Sequence, residues 1–215
     1  MPDLVINGPE GRLEARYHRA TSTKAPIALV MHPHPKFGGT MNHKVVYNLF
    51  HAFARSGFSV LRFNFRGVGR SQGAFNNGAG ELADAAAALD WMQSYHGSAS
   101  HCWVTGFSFG AWISMQLLMR RPEIDSFISV APPANIYDFS FLAPCPSSGL
   151  LLQGAADETV PEEDVSKLAD KLIGQRGPGI QYRTIAGADH FFEGKLDELT
   201  DVIENYIKTV MSPNK

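Results

Sequence analysis

Apolar positions along this chain fall in short, near-continuous runs, separated by amphipathic or Ala-rich stretches of helical length. The run Pro26-Ile27-Ala28-Leu29-Val30-Met31-His32 shows no polar alternation, the pattern of a strand buried on both faces. Residues 58–65, 102–107, 126–131, 148–154 and 179–186 predict further strands, and 42–56, 81–95, 109–119, 161–173 and 193–211 predict helices. Leu4-Val5-Ile6 and Leu13-Glu14-Ala15-Arg16-Tyr17, joined by Asn7-Gly8-Pro9-Glu10-Gly11, read as an antiparallel hairpin. Strands alternating with long helices require crossover connections. The expected architecture is α/β: a mostly parallel, doubly wound sheet of about eight strands, with the N-terminal hairpin antiparallel. The irregular stretch 132–146, with Pro132, Pro133, Pro144 and Pro146, is too short for a lid domain. No shift in composition breaks the chain, so residues 1–215 are expected to form a single domain.

Composition narrows the function classes. The net charge of −2 comes without a basic run, which disfavours nucleic acid and anionic membrane surfaces as partners. No apolar stretch is long enough to span a bilayer. The start at Met1-Pro2-Asp3-Leu4 lacks the basic and apolar regions of a signal peptide. Two cysteines, Cys102 in a predicted core strand and Cys145 in a Pro-rich loop, make no disulfide framework, so a cytoplasmic location is expected.

Candidate chemistry sits at the predicted strand ends, where open parallel sheets bind ligands. The fifth strand runs into Gly106-Phe107-Ser108-Phe109-Gly110 and then directly into a helical pattern. Strand, tight turn and helix are the context a nucleophile elbow requires. A neutral serine hydroxyl is a poor nucleophile and needs a base within hydrogen-bond reach. His190, after the last strand, can accept the proton near neutral pH. Asp157, in Gly154-Ala155-Ala156-Asp157-Glu158, can orient the imidazole. Ser108, Asp157 and His190 fall in the chain order associated with this elbow. Glu158 is the rival acid, while Asp189 would have to fold back awkwardly onto its own neighbour's ring.

These motifs, together with Phe65-Arg66-Gly67-Val68-Gly69-Arg70-Ser71 and Gly187-Ala188-Asp189-His190-Phe191, resemble those of the α/β-hydrolase superfamily, and the likeness covers essentially the whole chain. It is closest to the small, lid-less branch near the dienelactone-hydrolase and prolyl-oligopeptidase-like families. The His-Pro-His-Pro…Phe-Gly-Gly-Thr-Met loop at 32–41 is similar to that of uncharacterised bacterial hydrolases. The resemblance implies the α/β-hydrolase fold and an oxyanion hole of two backbone N–H groups. One belongs to Phe109, after the nucleophile, and the other to the loop after the strand ending at His32. Proline has no N–H, so Pro33 and Pro35 cannot serve, which leaves His34 first and Phe37 second. Two departures stand out. Dienelactone hydrolases carry cysteine at the elbow, where this chain has Ser108, so their substrate is not implied. The Asp common before Arg-Gly-x-Gly is Asn64, so its charge pairing is not implied either.

The expected function is that of a serine hydrolase cleaving an ester or related acyl bond of a small-molecule substrate, with no cofactor. Amide or peptide hydrolysis on the same machinery, and a non-enzymatic binding protein on the same scaffold, are the alternatives. His32, His34 and His43 invite a metal reading, but two prolines stiffen the loop and no carboxylate or cysteine accompanies them, so no metal is expected. Arg66-Gly67-Val68-Gly69-Arg70 lacks the ending of a phosphate loop, and Arg66 is expected to pair with Glu81 or Asp84. Phe107, Phe109, Phe191 and Phe192 are candidates for an apolar acyl pocket. The pattern fixes no oligomeric state.

Overall fold

The uninterrupted apolar runs become central strands because both their faces are covered by helices. The computed structural model describes residues 3–212 apart from 176 and 178; the chain start at Met1 and Pro2, where no leader is expected, lies outside the described residues. Eight strands form one sheet: β1 (Asp3–Gly8), β2 (Gly11–His18), β3 (Ile27–Met31), β4 (Ser59–Phe63), β5 (Cys102–Phe107), β6 (Ser126–Val130), β7 (Ser148–Gly154) and β8 (Ile180–Ile185). Their spatial order is β1-β2-β4-β3-β5-β6-β7-β8. The β1–β2 and β2–β4 pairings are antiparallel and the rest are parallel. The strand count, the antiparallel hairpin and the doubly wound α/β-hydrolase fold agree with the sequence expectation.

Side-chain alternation sorts the core into two layers. Ile27, Leu29 and Met31 of β3 face one side with Val104. Ala28 and Val30 face the other with Trp103 and Phe107. Helices α2 (Ala79–Tyr95), α3 (Phe109–Leu118) and α4 (Glu162–Ile173) cover the first side, and α1 (Lys44–Arg55) and α5 (Leu196–Met211) cover the second. Ala85 and Ala88 are fully buried, so the Ala-rich helix packs closely on the sheet. Trp103 sits edge-on to Phe53 and Phe58, with centroids 5.9 and 5.5 Å away. Truncating an aromatic side chain of this kind costs about 3–5 kcal/mol. Among the described residues, no helix is long and apolar enough to cross a membrane.

Helix starts differ from expectation where an unusual cap acts. Helix α1 begins at Lys44 instead of residue 42, because the His43 ring accepts the Val45 amide and serves as its cap. Helix α2 begins earlier, at Ala79, because the buried Glu81 carboxylate accepts the Asn76 and Gly78 amides.

Candidate active site

The elbow closes because two glycines let three backbone segments meet. A Cβ on Gly106 would lie 2.3 Å from the carbonyl carbon of Gly110, and one on Gly110 would lie 2.4 Å from the Met31 oxygen. No side chain fits at either place, so the first turn of α3 presses against both β5 and the end of β3. Ser108, between them, is held at φ 54° and ψ −119°, a left-handed conformation costly for a residue with a Cβ. Its amide donates to the Val130 oxygen, fixing the turn to β6.

His190 stands on the loop after β8, with Nε2 3.2 Å from Ser108 Oγ and Nδ1 2.8 Å from Asp157 Oδ2. An ionised carboxylate only accepts, so Nδ1 carries the proton and Nε2 of the neutral ring is free to accept from the serine. The Asp157 side chain has no solvent exposure. Its Oδ1 accepts the Thr159 and Val160 amides at 2.9 and 2.8 Å, and its Oδ2 also accepts Gln153 Nε2 at 3.0 Å. Four donors thus replace the water a buried carboxylate has lost. Gln153 is the partner that sequence reading missed. The available signal was a lone amide closing the apolar strand Leu150-Leu151-Leu152-Gln153.

The rival acids are placed elsewhere. Glu158 is exposed and makes no hydrogen bond among the described residues. Asp189 Oδ1 accepts the Phe191 and Glu193 amides, which shapes the loop carrying His190 and delays α5 to Leu196.

The loop after β3 also reaches the cavity over Ser108. Phe37 donates its amide to the His34 oxygen at 3.1 Å, so the second oxyanion candidate is already engaged. The His34 and Phe109 amides have no acceptor among the described residues. Asn64 anchors this loop: Oδ1 accepts the Met41 amide, and Nδ2 donates to Glu14 Oε2, both at 2.8 Å. An aspartate could not make the second bond, so the departure at this position is matched by Glu14 on β2. Arg66 is buried and pairs with Asp84 through Nε and Nη2 at 3.0 and 2.8 Å. Glu81, the other candidate, is engaged as the α2 cap.

The three loop histidines use ring nitrogens on backbone groups. His32, fully buried, accepts the Phe65 amide at Nε2 and donates Nδ1–H to the Pro33 oxygen. Burial lowers its pKa from 6.5 to about 3. His34 Nδ1 accepts the Lys36 amide, and burial again lowers that ring's pKa. Among the described residues, no group of three or more His, Cys, Asp or Glu side chains could hold a metal ion.

A cavity of about 240 Å³ opens over Ser108 and His190, walled by His34, His43, Phe109, Ile136, Tyr137 and Phe191. Two of the four candidate phenylalanines therefore line it. Phe107 and Phe192 are core residues, both fully buried on the α1–α5 side of the sheet. The 132–146 stretch supplies one wall, with Tyr137 stacked on Trp112 at 4.2 Å.

Known proteins are similar to this chain over most of its length. Residues 10–202 match the family described as X-Pro dipeptidyl-peptidase (S15 family). An uncharacterized protein of Rickettsia prowazekii is 54% identical over 99% of this chain and 91% of its own length. A structure from Agrobacterium tumefaciens, of unknown function and assigned to the α/β-hydrolases, is 57% identical over 100% of both chains, with a TM-score of 0.95. A Xanthomonas campestris structure, described as an α/β serine hydrolase without a lid, is 32% identical over 100% of this chain and 96% of its own, with a TM-score of 0.88. The chain belongs to the X-Pro dipeptidyl-peptidase (S15) family, within the lid-less α/β serine hydrolases.

Proposed function

We propose that the protein hydrolyses an ester or related acyl bond of a small substrate through an acyl-enzyme on Ser108. One observation carries the reading: His190 is hydrogen-bonded to Ser108 on one side and to the buried Asp157 on the other. Ser108 Oγ attacks the carbonyl carbon while His190 Nε2 takes the hydroxyl proton. The Phe109 and His34 amides receive the oxyanion, and Asp157 stabilises the imidazolium. His190 then passes its proton to the leaving oxygen as the bond to the alcohol breaks. Water attacks the acyl-enzyme with His190 as base, returning the proton to Ser108 and releasing the acid.

The cavity supports an uncharged acyl substrate over a dipeptide. Cleaving after a free N-terminal dipeptide requires a group that pairs with an ammonium, and the described residues lining the cavity include no carboxylate. Its volume suits a small molecule. Cys102 and Cys145 are free and buried, which supports placing the protein in the reducing cytoplasm.

The test is labelling with a fluorophosphonate probe, followed by turnover of a p-nitrophenyl ester panel. Wild type should be labelled at Ser108 and Ser108→Ala should not. An unlabelled, folded wild type would remove the hydrolase reading, and full esterase activity in Ser108→Ala would remove Ser108 as nucleophile.

A further inference from the structure

His43 takes no part in the steps above, yet its ring lines the cavity with Ser108 and His190. Its Nδ1 accepts the Val45 amide at 3.3 Å, so in the neutral ring the proton resides on Nε2. No acceptor for that N–H exists among the described residues, and the cavity wall around it is largely aromatic and aliphatic. Burial, with Lys44 and His190 nearby, lowers the ring's pKa to about 4, so it stays neutral near pH 7. An unpaired neutral N–H on a ring that lines an apolar cavity is a poor neighbour for hydrocarbon and a good one for a substrate oxygen.

The flank on which it stands says which part of the substrate it meets. The His43 ring stacks on Phe107 at 5.1 Å and packs near Phe191 at 5.7 Å. The same two rings flank His190, at 5.0 and 5.2 Å. His34 instead packs on Phe75 and Phe109. Because His190 delivers its proton to the leaving oxygen, the alcohol must lie on the His190 side, beside His43. Resting on the hydrolase reading above, we propose that His43 Nε2–H is a specificity-determining donor for the leaving group. The preferred substrates are then esters whose alcohol carries a second oxygen within a few atoms of the scissile one.

A matched pair of esters isolates that contact: 2-methoxyethyl butyrate and butyl butyrate differ by one ether oxygen in place of a methylene. The reading is the ratio of their kcat/KM values, which does not depend on how much of a variant folds. His43→Ser keeps a good helix cap and loses the ring, whereas His43→Phe keeps ring packing and loses cap and donor. In both, the methoxyethyl-to-butyl ratio should fall about tenfold from wild type, the worth of one net hydrogen bond. An unchanged ratio overturns the inference, and so does a fall in only one variant, which would trace to the cap or the packing alone. If wild type cleaves neither ester while Ser108 still reacts with fluorophosphonate, this substrate class is wrong and the hydrolase reading stands. If Ser108 is also unreactive, both fall.

Discussion

The loop after β3 and the loop after β8 both bring histidine to the carboxyl edge of the sheet, and they use it in opposite ways. His32, His34 and His43 each spend a ring nitrogen on a backbone amide, at 3.0, 3.1 and 3.3 Å. Their protonated forms are disfavoured, so these rings stay neutral, and those of His34 and His43 form part of the cavity wall. His190 makes side-chain contacts at both nitrogens, to Asp157 and to Ser108. His34 and His43 accept a backbone amide at Nδ1, and His32 accepts one at Nε2. What sets His190 apart is a carboxylate on Nδ1, which leaves Nε2 free to accept from Ser108.

Changing that partner should break the contrast most sharply. In Asp157→Asn, the side chain would face His190 with an amide, favouring the tautomer with its proton on Nε2, which cannot accept from Ser108. We expect kcat to fall by about 10⁴, the scale of the corresponding change in other serine hydrolases, with the thermal transition still cooperative. Glu158→Gln should stay within about twofold. A mild loss at Asp157, or a severe one at Glu158, would assign the acid role differently.

A smaller effect is expected from the backbone of the other loop. His34 has φ −56°, a value proline adopts, so His34→Pro deletes the N–H without changing that angle. Its kcat should be about 10²–10³ lower than that of His34→Ala, which loses the same side chain and keeps the donor. Equal rates in steady-state assays would put the second oxyanion donor elsewhere.

The two loops also differ in how much the sequence disclosed. The loop bearing His190 was legible because strand ends, chain order and the need of serine for a base all point to the same residues. Asp157 was separable from Asp189 by reach alone. Gln153 is not legible in this way, since its tie to Asp157 depends on how β7 turns into the loop that follows. In the other loop, the choice of His34 over Phe37 rests on which amide a tight turn has already engaged. The role of His43 rests on rings brought from β5 and the β8 loop. Arg66 shows the same limit. Glu81 and Asp84 lie one helical turn apart, and the capping of α2 decides which of them is left for the arginine.

The smallest effect tests the β3 loop as a stability element. His32 joins the ends of β3 and β4 through Phe65, and its folded-state pKa lies near 3 against an ordinary 6.5. As pH falls below 6.5 the unfolded chain binds a proton that the folded ring refuses. The contribution of His32 is therefore fully present above pH 6.5 and lost as pH falls through about 3, by at most about 1.4 kcal/mol per pH unit. His32→Phe removes this titration but leaves the Phe65 amide without its acceptor, at a cost of about 1–3 kcal/mol. In urea melts the variant should be less stable at pH 7.5, and its curve should approach that of wild type as the pH drops toward 5. Because His34 and His43 titrate in both proteins, the difference between the curves isolates His32. Parallel curves would mean that His32 is charged in the fold, and the contrast with His190 would then rest on His34 and His43 alone.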